Sequence, residues 1–132
     1  MAPIRVLLCD DVEAFRVLMR YTLPEDGDIE VVGEAADGMA GVRAARELQP
    51  DVVLLDLTMP LLDGMEAIPA ILEHAPRARI VALSGWDSDR MAESALAQGA
   101  AAYLEKGDDV GVIRDAVRAA AAAGGGGGAV AS

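Results

Sequence analysis

The sequence predicts an α/β fold in which helices cover both faces of a parallel sheet. Short apolar runs alternate with amphipathic stretches along the chain, five strand–helix pairs follow one another, and the connections between them are short. Strict alternation of this kind is typical of parallel sheets, because each strand must be reached by a crossover that is usually a helix. Ligands of such sheets bind beyond the carboxyl ends of the strands, so polar residues at those ends are site candidates.

The predicted strands are short apolar runs bounded by polar or turn-forming residues. The third, DVVLLD, is typical of a strand that is buried on both faces. The five predicted strands are Ile4–Cys9, Ile29–Gly33, Asp51–Asp56, Arg79–Leu83 and Ala101–Leu104.

Each predicted helix repeats apolar residues at three- and four-residue spacing. Pro24 ends the first and Gly99 the fourth, whereas Pro69 predicts a kink or a restart within the third. Asp108 or Asp109 can supply the N-cap of the last. The predicted helices are Glu13–Leu23, Gly38–Leu48, Met65–His74, Ser88–Gln98 and Asp108–Ala122.

The length of 132 residues predicts one domain. We assign residues 1–123 to it and interpret 124–132, which include five consecutive glycines, as a flexible tail or the start of a linker. The chain has no apolar run near the roughly 18–20 residues of a membrane span and no stretch typical of a signal peptide. We therefore expect a cytoplasmic protein with no membrane contact.

The net charge of −11 predicts that this chain by itself is a poor nucleic-acid binder. A surface of this charge repels nucleic acid, so we expect no direct nucleic-acid binding by this chain. The 11 basic residues include one lysine, Lys106. A single ammonium among arginines indicates a site where a compact charge is needed, although a chance surface lysine is an alternative. The single cysteine, Cys9, excludes a disulfide framework and is interpreted as a buried apolar residue.

Chemically active side chains follow four of the predicted strands. Asp10 and Asp11 follow the first, Asp56 ends the third, Ser84 follows the fourth and Lys106 comes shortly after the fifth. Three carboxylates at one edge repel one another unless a cation lies among them, and Mg²⁺ is the hard cation that best suits oxygen ligands. One carboxylate could then attack phosphorus while the hydroxyl and ammonium neutralise the phosphoryl oxygens.

These residues, in their local sequences, resemble the receiver domain of bacterial two-component response regulators. The resemblance rests on the pair DD at Asp10, on LLDLTMPLLDG around Asp56, on ALSG at Ser84 and on AAYLEK at Lys106. It extends from about Ile4 to Ala122. It implies a flavodoxin-like (βα)5 fold with strand order 2-1-3-4-5. The segments VVGEAADG and AAYLEKGDD are most similar to receivers that precede LuxR-type helix-turn-helix domains.

The resemblance implies a role for each residue at the strand ends. Asp56 matches the phosphoacceptor, Ser84 the hydroxyl that approaches the phosphoryl group, Lys106 the ammonium that pairs with it and Tyr103 the aromatic switch. It implies a Mg²⁺ site formed by the carboxylates of Asp10, Asp11 and Asp56 and the backbone carbonyl of Thr58. The implied phosphodonor is a sensor histidine kinase, and the chain is then a signalling domain that catalyses only its own phosphorylation and dephosphorylation.

Two positions depart from the usual receiver pattern. Gly107 stands where a proline commonly follows the lysine, so the cis X–Pro bond expected there is absent. Trp86, two residues after Ser84, is a bulky ring that could shelter the phosphoryl group or slow its entry.

Alternative interpretations exist for several of these residues. Asp10 could cap the first helix with Glu13 completing a capping box, and Tyr103 could be an ordinary core residue. A phosphatase of the haloacid-dehalogenase type needs a second aspartate where Thr58 stands, and its acidic pair comes last in the chain, so the sequence argues against that class on both counts. His74 has no second histidine or cysteine near it and is interpreted as a surface residue.

The implied function is control of transcription through an output domain that is not in this chain. The alternative is a stand-alone receiver, or one that acts through protein contacts without phosphorylation. We expect switching at the face formed by the fourth helix, fifth strand and fifth helix, which could also form a homodimer. The residues expected to line this face are Met91, Ala95, Tyr103, Val110 and Ile113.

Overall fold

In the part of the chain that the structure describes, the sheet has five parallel strands, as predicted. The computed structural model describes residues 2–57, 64–85 and 89–125. The strands are β1 (Ile4–Cys9), β2 (Ile29–Ala35), β3 (Val52–Asp56), β4 (Arg79–Ser84) and β5 (Ala102–Glu105). Their order in the sheet is β2-β1-β3-β4-β5, and every neighbouring pair is parallel. This order confirms the predicted topology and places β1, β3 and β4 at the centre.

Among the described residues, five α-helices connect or follow the strands at nearly the predicted positions. They are α1 (Glu13–Thr22), α2 (Gly38–Leu48), α3 (Gly64–His74), α4 (Asp89–Gln98) and α5 (Val110–Gly125). α3 passes through Pro69 as one helix, and the carbonyl of Asp109 accepts the first hydrogen bonds of α5, from Val112 and Ile113. A short 3₁₀-helix, Leu23–Asp26, follows α1 and was not predicted, because the proline in its first turn was interpreted only as a stop signal.

The last helix extends beyond the predicted end of the domain. α5 includes Gly124 and Gly125, which the sequence analysis assigned to the tail. Residues 126–132 lie outside the described residues, so the flexibility of that segment stays a prediction.

Two apolar layers lie on opposite faces of the sheet because side chains alternate along each strand. One, the α1–α5 face, joins Leu8 and Leu54 of the strands to Met19 of α1 and Ile113 of α5. The other, the α2–α4 face, joins alternate strand residues to the three middle helices; its buried members include Cys9, Ala45, Ile68, Ala82 and Ala95. The side chain at the end of each strand therefore lies on the face that the alternation of side chains along that strand determines.

None of the helices within the described residues is both long and apolar enough to cross a membrane.

Candidate functional site

Three carboxylates meet where β1 and β3 end. Asp10 follows β1, Asp56 is the last residue of β3, and these two strands are neighbours in the sheet. Asp10 and Asp56 are only 2% and 1% exposed, whereas Asp11 is exposed. One carboxylate oxygen from each of the three residues lies within 4.8 Å of the others. The structure thus brings together the three acidic side chains that the sequence analysis selected.

The carboxylate of Asp10 is held by the turn that leads into α1. Its Oδ1 accepts a hydrogen bond of 2.8 Å from the backbone N–H of Val12. Val12 itself is the N-cap residue of α1, and no side chain caps that helix. The alternative in which Asp10 and Glu13 form a capping box is therefore wrong, and Asp10 faces the acidic cluster instead.

Lys106 reaches this cluster from the end of β5. Its Nζ lies 2.8 Å from Oδ2 and 3.0 Å from Oδ1 of Asp10, and 3.4 Å from Oδ2 of Asp56. The side chain of Lys106 is 20% exposed, so most of this side chain is enclosed by protein. Although Oδ2 of Asp10 is within ion-pair distance of this ammonium, it accepts no well-directed hydrogen bond from any described residue. This buried oxygen retains an acceptor position toward the site.

Burial and charge act in opposite directions on the two partners of this ion pair. Burial raises the pKa of Asp10, and the charge of Asp56 adds to that effect. The hydrogen bonds from Lys106 and Val12 lower the pKa, but they compensate only in part. Burial alone would lower the pKa of Lys106, but the hydrogen bond to Asp10 and the charge of Asp56 outweigh it, and the pKa is raised. The site is thus an electronegative pocket in which one ammonium offsets part of the carboxylate charge.

The donor set fits a hard divalent cation. All three candidate ligands are carboxylates, their oxygens are close enough to share one ion, and a buried Asp10 oxygen lacks a directed donor. Hard cations such as Mg²⁺ prefer a few carboxylate oxygens and keep part of their water, and the exposed Asp11 gives access to solvent. Thr58, whose carbonyl the sequence analysis added to this set, lies outside the described residues, as does Trp86.

Ser84 lies at the end of β4, and its side chain lies on the α2–α4 face of the sheet. It is fully buried, and its Oγ donates a hydrogen bond of 3.5 Å to the Met91 sulfur of α4. Its backbone carbonyl accepts from the N–H of Lys106, at 2.8 Å, which ties the ends of β4 and β5 together. Tyr103 is half-buried, pairs with Ala82 across the strands and packs against the α2–α4 face. Ser84 and Tyr103 therefore share a face, and Met91 of α4 packs there with them.

The face expected to switch differs in part from its prediction. Ala95 and Ile113 are fully buried, and they lie in the two different core layers, so neither lines an outer surface. The prediction was wrong for these two residues because the apolar stripe of a helix marks the side that packs on the sheet. Among the described residues of α4 and α5, the large apolar side chains that are exposed are instead Leu96 and Val112, each nearly half exposed.

Two contacts around the site were not predicted. The centroid of the Phe15 ring, in α1, lies 4.9 Å from Nζ of Lys106. Arg16 donates to the backbone carbonyl of Asp10 at 2.6 Å and to Glu34 of β2 at 3.1 Å. The signal for Phe15 was weak, since an apolar residue in an amphipathic helix predicts only core packing. The pairing of Arg16 with Glu34 depends on the relative placement of α1 and β2.

Two simpler interpretations agree with the structure. Cys9 is buried in the α2–α4 face, and burial together with the charges of Asp10 and Asp37 raises the pKa of its thiol to about 12. His74 is exposed at the end of α3.

Comparison with known families decides the identity of this domain. Residues 6–118 match the family described as the response regulator receiver domain. The chain belongs to this family. The receiver is thus a phospho-accepting signalling domain rather than a turnover enzyme, and its sheet order is the one that the family implies.

Similar proteins place the receiver near regulators of the LuxR type. The transcriptional regulatory protein LiaR of Bacillus subtilis is 44% identical over 117 residues, which are 89% of this chain and 56% of LiaR. The signal receiver domain of a putative NarL regulator from Mycobacterium tuberculosis has a TM-score of 0.86 and 35% identity, covering 92% of this chain and 98% of that one. A LuxR-family two-component response regulator from an Aurantimonas species has a TM-score of 0.86 and 32% identity, covering 92% and 86%. The receiver spans about half the length of the curated relatives it matches.

Proposed function

We propose that Asp56 is the residue of this receiver that accepts the phosphoryl group. The observation that carries the proposal is the position of its carboxylate: it ends β3, is 1% exposed, lies 3.4 Å from the Lys106 ammonium and belongs to a cluster of three carboxylates. A buried carboxylate is costly unless charged groups compensate for it, and the Lys106 ammonium supplies part of that compensation. Asp56 is thus held as a nucleophile at the open end of the sheet.

The proposed reaction transfers a phosphoryl group from a phosphohistidine of a sensor kinase. An oxygen of the Asp56 carboxylate attacks phosphorus, the phosphorus–nitrogen bond breaks, and its electron pair returns to the imidazole of the kinase. The Lys106 ammonium, close to both Asp10 and Asp56, neutralises charge on the phosphoryl oxygens. The product is an acyl phosphate on Asp56.

Asp10, Asp11 and Asp56 would hold Mg²⁺, and the family resemblance adds the backbone carbonyl of Thr58. When bound, Mg²⁺ supplies positive charge to the phosphoryl oxygens and relieves repulsion among the carboxylates. Two observations support this assignment: one oxygen from each carboxylate lies within 4.8 Å of the others, and the buried Oδ2 of Asp10 accepts no directed hydrogen bond from a described residue.

The proposed consequence of phosphorylation is a rearrangement of Ser84 and Tyr103. A phosphoryl group on Asp56 offers new acceptors to the Ser84 hydroxyl, which now donates to the Met91 sulfur. Movement of Ser84 would alter the packing of Tyr103 and α4, which share its face of the sheet. Such packing changes are bistable, so a local bond can shift a larger surface.

The proposed output is control of transcription in the cytoplasm, through a domain beyond this chain. LiaR, a transcriptional regulatory protein, is about twice as long as the matched region, which supports an attached effector. The proposed partners are a sensor histidine kinase and a second receiver that binds through α4, β5 and α5, where Leu96 and Val112 are exposed. With a net charge of −11, the receiver itself would not bind DNA.

The central test is labelling with acetyl phosphate in the presence and absence of Mg²⁺, followed by intact-mass measurement. We expect one added phosphoryl group that requires Mg²⁺ and is absent from Asp56→Asn. The matched control is Asp51→Asn, which removes an exposed carboxylate that precedes the same strand. Undiminished labelling of Asp56→Asn would refute the assignment.

A second test addresses switching and self-association. Beryllofluoride with Mg²⁺ mimics the phosphoryl group, and we expect it to raise the sedimentation coefficient at high receiver concentration. Leu96→Asp should suppress that increase, whereas Leu18→Asp, on the exposed side of α1, should not. Unchanged sedimentation, with NMR shifts confined to the surroundings of Asp56, would show that the isolated domain does not switch in this way.

A further inference from the structure

The tip of the Lys106 side chain is restrained by its surroundings rather than by its own backbone. The main-chain N–H of Lys106 is fixed to the carbonyl of Ser84 at 2.8 Å, but a four-carbon stem separates this anchor from the ammonium. The following residue is Gly107, with open space around it. The position of the ammonium therefore depends on the groups that contact it.

Among the described residues, three groups contact this ammonium, and one of them is aromatic. Asp10 and Asp56 provide carboxylates at 2.8 Å and 3.4 Å, and the ring of Phe15 lies 4.9 Å from Nζ. The carboxylates attract the charge toward the sheet, and the ring face attracts it from the side of α1. The face of an aromatic ring carries negative potential, and a cation within about 6 Å of the ring centroid is attracted to it.

Phe15 itself is rigidly placed. Its backbone N–H donates to the carbonyl of Val12 at 3.1 Å, in the first turn of α1. The next residue, Arg16, is anchored to the carbonyl of Asp10 and to Glu34 of β2. The ring also packs against the α1–α5 face of the core. It is therefore a fixed surface rather than a mobile lid.

We propose that Phe15 is a positioning residue for phosphoryl transfer, because its ring holds the Lys106 ammonium over the carboxylates of the site. This inference rests on the proposed role of Asp56. Phe15 touches neither the phosphodonor nor the phosphoryl group in this scheme, and it acts only through Lys106. Loss of the ring face leaves the ammonium with a wider range of positions and slows the step in which it must neutralise the phosphoryl oxygens.

Two variants distinguish an effect of the aromatic ring face on Lys106 from an effect of apolar packing by Phe15. Phe15→Leu keeps an apolar side chain of good helix propensity but removes the ring, whereas Phe15→Tyr keeps the ring. We expect Phe15→Leu to be labelled by acetyl phosphate roughly two- to fivefold more slowly than the parent. Phe15→Tyr should be labelled at the parental rate. Urea unfolding of each variant verifies that the domain is folded.

An independent signal comes from the single lysine of the chain. Protein made with ¹³C-labelled lysine gives one set of side-chain NMR signals, all from Lys106. We expect the ε-protons of the parent and of Phe15→Tyr to be shifted upfield by the ring, and this shift to be lost in Phe15→Leu. If Phe15 had only a structural role in the core, Phe15→Tyr and Phe15→Leu would both be labelled by acetyl phosphate more slowly than the parent.

The outcomes distinguish this proposal from the proposed function. A parent protein that acetyl phosphate does not label on Asp56 refutes the function on which the proposal rests. If the parent is labelled, parental rates in Phe15→Leu refute the role of Phe15 alone. Equal slowing in Phe15→Leu and Phe15→Tyr, or ε-proton signals that do not respond to the ring, also overturns it.

Discussion

The hydroxyl of Ser84 and the thioether of Met91 are joined by a hydrogen bond of 3.5 Å between β4 and α4. Ser84 is completely buried at the end of a central strand, and Met91 is half-buried in the first turn of α4. Sulfur is a weak acceptor compared with a phosphoryl oxygen. A phosphoryl group on Asp56 would therefore compete successfully for the hydroxyl, and the exchange would loosen one contact between the sheet and α4.

The first prediction concerns this contact. Met91→Leu preserves apolar volume but removes the sulfur acceptor, so Ser84 has less to give up when it turns toward the site. We expect beryllofluoride with Mg²⁺ to bind this variant about two- to fivefold more tightly, as fits a lost bond of roughly 0.5–1 kcal/mol. Titration monitored by NMR measures the affinity. Met39→Leu, at an exposed methionine of α2, is the control. Weaker binding to Met91→Leu would contradict the prediction.

The second prediction concerns the stability cost of the site. Burial raises the pKa of Asp10, so the fold disfavours its charge relative to the unfolded chain. In metal-free protein, stability is then lost as pH rises from the ordinary value of this group, 3.8, through the raised folded pKa. Asp10→Asn keeps an acceptor for the Val12 N–H without the charge. We expect it to raise the free energy of unfolding at pH 7, because the direction of the pKa shift indicates that the fold disfavours the charged carboxylate.

Urea unfolding in the presence of EDTA checks this expectation. The control is Asp37→Asn, which removes a carboxylate that caps α2 but retains an acceptor for the N–H of Ala40. That variant should differ little from the parent. A loss of stability in Asp10→Asn would show that the ion pair with Lys106 outweighs the cost of burial.

The third prediction concerns the thiol of Cys9. Since burial raises its pKa to about 12, the folded domain holds almost no thiolate at pH 8, and we expect no reaction with Ellman's reagent until urea unfolds the chain. The unfolded thiol ionises near 9.0, so stability falls as pH rises from about 9 toward 12. Cys9→Ala should lose this part of the pH dependence. Rapid labelling of the native domain would contradict the burial of Cys9.

The fourth prediction concerns Gly99, which ends α4 with a φ of +118°. Residues with a side chain rarely adopt this conformation, and an added Cβ would lie 2.6 Å from Cδ1 of Leu72. We expect Gly99→Ala to lower the free energy of unfolding by roughly 1–3 kcal/mol. Gly107→Ala, at a position with open space, should have little effect on stability. Similar unfolding midpoints for the two variants would rule out the strain at Gly99.

The fifth prediction concerns the support behind the acidic cluster. Arg16 binds the carbonyl of Asp10 and Glu34 together, and a lysine cannot reproduce this forked geometry. We expect Arg16→Lys to weaken Mg²⁺ binding about tenfold, as measured by the fluorescence of the single tryptophan. Arg20→Lys, which alters a more exposed partner of the same Glu34, is the control. Asp11→Ala should abolish the response, and equal affinities for the two lysine variants would exclude a special role for Arg16.

Most of the fold and the acidic part of the site could be predicted from the sequence. The period of the apolar residues determines which segments are strands or helices, and their strict alternation determines that the sheet is parallel. Because parallel strands end at one edge, Asp10 and Asp56 lie close together if β1 and β3 are neighbours, and the structure shows these two strands paired. The family resemblance supplied that strand order, which periodicity alone does not contain.

Tertiary structure alone decided what surrounds those carboxylates. The ring of Phe15 contacts Lys106, which follows β5, and Arg16 contacts Glu34 of β2, so both contacts depend on where α1 lies relative to these distant segments. Ala95 and Ile113 illustrate the same limit. Helical periodicity places both on the apolar side of a helix, but it does not show that they are buried in opposite core layers. Local sequence encodes the direction of a side chain relative to its own helix or strand. Which residue it contacts depends on how distant elements pack, and these contacts join residues far apart in the chain.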